Sequence, residues 1–267
     1  MDDTQRLRYS RHLLLQGWSE AAQSRLMGSH AMVIGLGGLG APAALYLAAA
    51  GVGQLTLVDP DQVELSNLQR QIIHTTERIG QHKANSAAQA VLALNPDLVV
   101  HPIEQAADET WLFDWLQGQQ SPMAARQLVV LDCTDRLDTR HAINRACWRA
   151  GVALVSASAV QWDAQITVFD PSQAGSPCYA CLYPPADHTE AASPDTPCGT
   201  LGVFAPLVGM AGTLQAGEAI KHLMGDLLTG MQLPLVGRLC LLDARDWQTT
   251  CLAIAPRADC PVCGAKA

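Results

Sequence analysis

The sequence predicts a doubly wound α/β fold: a largely parallel sheet covered by helices, with a C-terminal, partly antiparallel extension. Three observations carry this. Short apolar runs of strand length alternate with longer Ala- and Leu-rich stretches of helical character. The first such run ends in a glycine-rich turn, Gly35-Leu36-Gly37-Gly38-Leu39-Gly40. Of the residues, 49% are hydrophobic but only 5% aromatic, so the apolar content is mostly Ala, Leu and Val, as in a helix-covered sheet.

The elements follow in order. Residues 4–27 read as short helices, with Leu7, Leu13, Leu14 and Leu26 at helical spacing. Ala31 to Ile34 is a short apolar strand. Ala41 to Ala50 is a helix that tolerates Pro42 in its first turn. Gly51 and Gly53 end it, and Leu55 to Asp59 is the second strand, completing a β-α-β unit. Lys83 to Leu94 is helical and stops at Asn95-Pro96. Strands are expected at Leu98–Val100, Leu128–Leu131, Val152–Val155 and Gln165–Phe169, with a helix from Thr139 to Ala150. The segment 171–200 is loop-like and residues 203–224 are mainly helix. Leu235–Leu242 and Thr249–Ala253 read as late, antiparallel strands. The whole of 1–267 is expected to be a single domain: N-terminal helices at 1–30, a nucleotide-binding core at 31–170 and a C-terminal part at 171–267.

Composition narrows the function. A formal net charge of −8, with no basic run, disfavours a phosphate-backbone binder, so no nucleic acid partner is expected. No membrane partner is expected either. The uncharged stretch Leu201–Gly217 contains Pro206, Thr213 and Gln215 and is followed by Glu218, which suits a buried helix better than a span. Nine cysteines cannot all pair. The N-terminus is acidic and lacks the features of a secretory signal. Together these suggest a reducing, cytoplasmic compartment.

Gly35, Gly37 and Gly40 fit the dinucleotide fingerprint: tight turn, close approach of backbone to phosphate, close packing of helix on strand. The helix start then offers N–H groups and a positive dipole end to an anion. Asp59 closes the second strand, where a carboxylate accepts bonds from ribose hydroxyls. The pattern specifies a ribose and phosphates, and both NAD and ATP carry them, so an NAD(P)-dependent oxidoreductase is one candidate. The residues after the acid bear on the choice. Asn67, Arg70 and, further on, Lys83 supply an amide and two cations, which suit a triphosphate. The alternatives are a surface ion pair of Arg70 with Glu64 or Glu77 and a solvated Lys83. Asp132 and Asp135 stand at the end of a parallel strand, where such sheets bind ligands. Asp135 suits magnesium, and one of the two acids is expected to cap the following helix.

The cysteines sort by surroundings. Cys178 and Cys181, and Cys260 and Cys263, form two Cys-x-x-Cys pairs. Four such thiolates suit a structural zinc knuckle, with redox dithiols as the alternative. Cys133, Cys147, Cys240 and Cys251 lie in apolar patterns and are expected in the core. Cys198, in a polar, proline-bounded loop before a helix, is either a nucleophile or an inert loop thiol. The eight histidines show no metal-ligand spacing, and His12, His74 and His82 are expected at surface or satisfied positions.

The glycine turn, Asp59, the run Ser66-Asn67-Leu68-Gln69-Arg70-Gln71, Lys83 and Asp132-Cys133-Thr134-Asp135 together resemble the ThiF/MoeB/HesA family, ubiquitin-activating-type adenylyltransferases of sulfur-carrier proteins. Arg8-Tyr9-Ser10-Arg11 also matches, and the resemblance spans nearly the whole chain. It implies a Rossmann-like core, ATP, Mg²⁺ and Zn²⁺. It implies that Gly38 approaches ATP through backbone, that Asp59 binds the ribose and that Asn67, Arg70 and Lys83 hold phosphates. Ser66, Leu68, Gln69 and Arg136 complete the implied nucleotide set, and Asp135 binds magnesium. Arg11 reaches into a neighbouring subunit's site, which implies a homodimer. Cys178, Cys181, Cys260 and Cys263 match the family's zinc ligands, and Cys198 a thiol implicated in a covalent link to the carrier. One position departs: Arg136 stands where the family usually has Asn, and its side chain is expected either to add a phosphate contact or to face solvent.

The resemblance implies adenylation of the C-terminal glycine of a ubiquitin-like sulfur carrier ending in Gly-Gly, ahead of thiocarboxylate formation. Arg8–Arg11, Ala157–Val160 and Cys181–Pro184 look closer to the thiazole branch (ThiF) than to the molybdopterin branch (MoeB). No rhodanese domain is seen, so a separate sulfur donor, a cysteine desulfurase or rhodanese, is implied. The loop 186–200 is expected to cover the carrier tail. A non-catalytic, zinc-stabilised adaptor is the third alternative, disfavoured by the set Arg11, Arg70, Lys83 and Asp135.

Overall fold

The computed structural model describes residues 1–119, 127–185, 201–229 and 234–264. Its centre is one eight-stranded sheet in the order β3-β2-β1-β4-β5-β6-β7-β8. The strands are β1 (His30–Ile34), β2 (Gln54–Val58), β3 (Val99–Ile103), β4 (Leu128–Asp132), β5 (Ala153–Val160), β6 (Asp163–Phe169), β7 (Arg238–Asp243) and β8 (Gln248–Ala253). The first five run parallel, and β6, β7 and β8 join antiparallel. The expected fold class is thus observed as a mixed sheet, mostly parallel, with antiparallel C-terminal strands.

The helices are α1 (Asp3–Arg8), α2 (Ser10–Leu13), α3 (Glu20–Met27), α4 (Gly40–Ala50), α5 (Lys83–Leu94), α6 (Glu109–Gln119), α7 (Leu137–Ala150), α8 (Tyr179–Leu182) and α9 (Ala205–Met224). α4, α5 and α9 cover one face of the sheet, burying Val33, Leu47, Leu57, Val91, Val155 and Leu207. α6 and α7 cover the other, burying Met32, Val58, Leu112, Val130, Ile143 and Phe169. β1 and β4 are buried along their whole length, which is why they read as unbroken apolar runs. β3 lies at the sheet edge, the place where a strand tolerates Pro102.

Several expectations need correction. α6 was not expected. Its start is marked by Asp108, whose Oδ1 accepts from the Trp111 N–H at 2.9 Å, and its buried side chains Leu112 and Leu116 are one turn apart. Neither Asp132 nor Asp135 caps α7: the N-cap is Arg136, with no side-chain cap bond. Asp132 instead folds back, accepting from the Thr134 N–H at 3.0 Å and hydroxyl at 2.7 Å. Cys133, Cys147 and Cys240 are buried as expected, but Cys251 is exposed on β8. The register sets Cys240 opposite Cys251, with Cα atoms 4.1 Å apart, and the two form a disulfide. That short approach is characteristic of directly opposed residues on antiparallel strands. Among the described residues no helix is long and apolar enough to cross a membrane.

Candidate active site

The chain leaves β1 for β2 and β3 on one side, then returns to β4 on the other. That reversal opens a crevice at the carboxyl ends of β1 and β4, where open α/β sheets take ligands. A cavity of about 540 Å³ lies there, within the usual range for a small-molecule site.

The glycine turn forms its floor. Gly35 has φ +89°, and a Cβ there would stand 2.7 Å from the Cys133 carbonyl. Gly38 is needed for another reason: its Cβ would meet Val208 Cγ1 of α9 at 2.6 Å, with the Arg70 stem at 3.5 Å. α4 begins without a side-chain cap, so its first N–H groups are not taken by a capping side chain.

Asp59 lies just beyond β2, buried and lining the cavity. One oxygen accepts from the Leu36 N–H at 2.6 Å and the other from the Asp61 N–H at 2.9 Å. Burial holds its carboxyl above the ordinary range, opposed by Lys83 and these two N–H groups. Lys83 is not solvated. It opens α5 with its side chain buried, and Nζ pairs with Asp61 Oδ2 at 2.9 Å. Asn67 is buried at a 3-10 turn, its Oδ1 accepting from the Glu64 N–H at 3.3 Å. Arg70 donates to the Ser66 carbonyl at 3.2 Å, the bond that takes the place of the ion pair with Glu64 or Glu77 considered above. Gly37, Gly38, Asp59, Asn67, Gln69, Arg70 and Lys83 all line the cavity.

The loop after β4 forms the opposite wall. With Asp132 turned inward, Asp135 and Arg136 stand exposed and line the cavity. Arg140 backs the loop: its guanidinium donates to the Thr134 carbonyl and, at 3.0 Å, to the Ala157 carbonyl.

Of the expected nucleotide residues, Ser66 and Leu68 are not among those lining the cavity. Ser66 holds the turn through Glu64 and Arg70. Arg11 is exposed on α2 and does not line it either. Cys198 and the loop 186–200 lie outside the described residues. Sequence reasoning missed Asp61, Arg140 and Gln71 as site residues. Gln71 is buried at the cavity with an Oε1 that has no partner among the described residues, and its place inside the Ser66–Gln71 run was the available signal.

The four knuckle cysteines are not among the residues that line this cavity. Their sulfurs lie within 4.8 Å of one another, with Cys178–Cys260 at 3.5 Å and Cys181–Cys263 at 3.3 Å. Tetrahedral zinc with ~2.3 Å bonds puts sulfurs about 3.8 Å apart, so the donor set fits such an ion. Burial pushes the Cys178 thiol up to about 12, and a bound cation reverses that preference by taking the thiolate.

Residues 9–262 match the ThiF family. The chain belongs to that family. It is 45% identical over 264 residues to the sulfur carrier protein ThiS adenylyltransferase of Escherichia coli (strain K12), covering 99% of this chain and 97% of that one. It is 41% identical to the SAMP-activating enzyme E1 of Haloferax volcanii, covering 99% and 91%. It is 39% identical to the molybdopterin-synthase adenylyltransferase of E. coli (strain K12), covering 99% and 98%. This ThiF-family chain is an adenylyltransferase. The crystal structure of E. coli MccB with ATP shares the fold, with a TM-score of 0.76 at 23% identity over 96% of this chain and 74% of that one.

Proposed function

We propose that this chain adenylates the C-terminal glycine of a ThiS-type, ubiquitin-like sulfur carrier in thiamine thiazole biosynthesis. The strongest support is the match to the ThiS adenylyltransferase along nearly the whole of both chains. The cavity adds the chemistry. Asp59 would bind the ribose, and Asn67, Arg70 and Lys83 the phosphates, with Asp135 as the carboxylate for magnesium. A glycine carboxylate oxygen of the carrier attacks the α-phosphorus of ATP. The new O–P bond forms as the bond to the β-phosphate oxygen breaks, and pyrophosphate leaves with the electron pair. Positioning and charge stabilisation by Arg70 and Lys83 suffice, because the attacking carboxylate is already ionised.

The remaining roles follow the same reading. Cys178, Cys181, Cys260 and Cys263 would hold zinc, a closed structural site that supplies no open position for chemistry. Arg11 would act in the site of a second copy in a homodimer. The exposed Leu7 of α1 and Leu14, the residue that follows α2, support a covered face there. Cys198 would be the thiol that links to the carrier, with sulfur arriving from a cysteine desulfurase or rhodanese. The chain would work as one ThiF-type domain in the cytoplasm.

A MoaD-type carrier of molybdopterin biosynthesis is the second reading, favoured by the 39% match to a molybdopterin-synthase adenylyltransferase. One experiment separates them. ATP–pyrophosphate exchange is measured with each purified carrier, and mass spectrometry looks for its AMP adduct. Exchange with the ThiS-type carrier alone is expected. Exchange only with the MoaD-type carrier would shift the assignment, and NAD binding without any exchange would replace it.

A further inference from the structure

The glycine turn is flexible by composition, yet one of its residues is held through the peptides on both sides. Leu36 is fully buried. Its N–H is taken by Asp59 at 2.6 Å, and its carbonyl faces His74 Nε2 at 3.0 Å. The His74 ring is buried, and its other nitrogen lies 2.9 Å from Ser86 Oγ. A carbonyl can only accept, so Nε2 carries the proton. Nδ1 of the neutral ring then accepts from the Ser86 hydroxyl. Burial, with Lys83 and Arg78 adding charge nearby, holds this imidazole down at about 4, against the opposing pull of the Leu36 bond. Neutral is therefore its resting form.

The ring stands where three parts of the site meet. It touches the glycine turn at Leu36. Its own backbone follows the Arg70–Gln71 segment, with its N–H donating to the Gln71 carbonyl at 3.1 Å. Ser86 sits on α5, three residues after Lys83.

We propose that His74 is a positioning residue for the nucleotide: by holding the Leu36 carbonyl, it sets the direction of the Gly37 N–H that faces the phosphates. The Leu36–Gly37 peptide is planar and trans, so its C=O and N–H point in opposite directions. With the carbonyl turned to His74, the Gly37 N–H points away from it, and Gly37 lines the cavity. A glycine on the C-terminal side makes the opposite orientation of this peptide accessible. That flip would present a carbonyl oxygen to an anion. Ser86 in turn keeps the His74 ring in the donating tautomer.

This role rests on the cavity being the ATP site, and the experiment separates the two. Mg-ATP binding and carrier-dependent exchange are measured in the full chain for wild type, His74→Phe, His74→Gln and Ser86→Ala. Phe keeps a ring and loses the donor; Gln keeps a side-chain N–H near the same place. Expected are a KM for ATP raised about tenfold in His74→Phe with the carrier KM unchanged, recovery to within about threefold in His74→Gln, and a rise of about threefold in Ser86→Ala. The Gly37 amide resonance should move on ATP addition in wild type and much less in His74→Phe. Wild-type protein that does not bind ATP would overturn the site itself. Intact wild-type binding with an unchanged ATP KM in His74→Phe would overturn only the His74 role, as would His74→Gln as impaired as His74→Phe. Should His74→Phe fail to fold, Ser86→Ala decides, and a wild-type ATP KM there overturns the proposal.

Discussion

The parallel strands β1–β5 and the antiparallel strands β6–β8 share one sheet and are held together differently. β1 and β4 are buried end to end beneath helices on both faces, while β8 is exposed end to end. Burial of apolar chain is the main source of order in the first region. In the second, β6 still buries Ile166, Val168 and Phe169 in the core, and local ties take over toward the edge: the β7–β8 pairing with its Cys240–Cys251 bridge, and a four-cysteine cluster joining residues near 180 to residues near 260. Among the described residues, β6, β7 and β8 contribute no side chain to the cavity wall. Side chains that line the candidate site and ties that hold the fold are thus largely segregated. Damage to each region should have a different signature.

The largest effect is expected on activity. Arg70→Ala or Lys83→Ala should lower ATP–pyrophosphate exchange by roughly a hundredfold or more, with little change in melting temperature. Removing Lys83 frees Asp61, an exposed carboxylate that water can solvate, and takes one favourable charge from the buried Asp59, which keeps its two backbone N–H bonds. A variant that loses stability as much as activity would break the comparison.

Next is the cysteine cluster. Cys260→Ser should remove the zinc measured by elemental analysis and lower the melting temperature by on the order of 10 °C. At a temperature where the variant stays folded, its exchange activity should survive. A variant that retains stoichiometric zinc would sink the assignment.

A smaller effect is expected from acid. His30 of β1 is buried beside Thr56, His101 and Trp115, and burial, helped by His101, lowers it from 6.5 to about 4. His74, with Lys83 and Arg78 nearby, behaves alike. Below pH 6.5 the unfolded chain takes up protons that the folded chain refuses. Stability present above that pH is therefore lost as pH falls toward 4. Urea midpoints at pH 7.5 and pH 5 should show the loss, and His30→Gln should reduce it. A midpoint that does not fall would contradict the neutral burial of these rings.

The smallest is reduction of Cys240–Cys251. The bridge closes a hairpin over 11 residues that strand pairing already closes. Dithiothreitol should lower the melting temperature by about a few degrees at most and leave exchange unchanged. Loss of activity on reduction would show that β7–β8 reaches the site after all.

Much of the parallel region was legible in the sequence, because buried parallel strands are unbroken apolar runs and glycine turns punctuate them. The helix from Lys83 to Leu94 has its expected bounds. Asp59, Arg70, Lys83 and Asp135 all reach the cavity wall, since each sits at a fixed offset from a strand end or turn. What was not legible depends on distance in space. His74 serves Leu36 from 38 residues away, and no local pattern separates it from any satisfied histidine. The Cys240–Cys251 bridge depends on strand register, which an apolar pattern does not state. α6 escaped because Trp111, Phe113 and Trp115 blur its stripe around Leu112 and Leu116.

The cysteine cluster also imposes an order in time. Cys178 and Cys260 are 82 positions apart, so at 5–20 residues per second the ribosome needs roughly 4 to 16 s to make the second after the first. Every strand of the parallel region has been synthesised before that interval begins. The parallel half can therefore close on itself while its cysteine anchor still waits for a partner, and the four-cysteine cluster assembles last, as a latch on a sheet already standing.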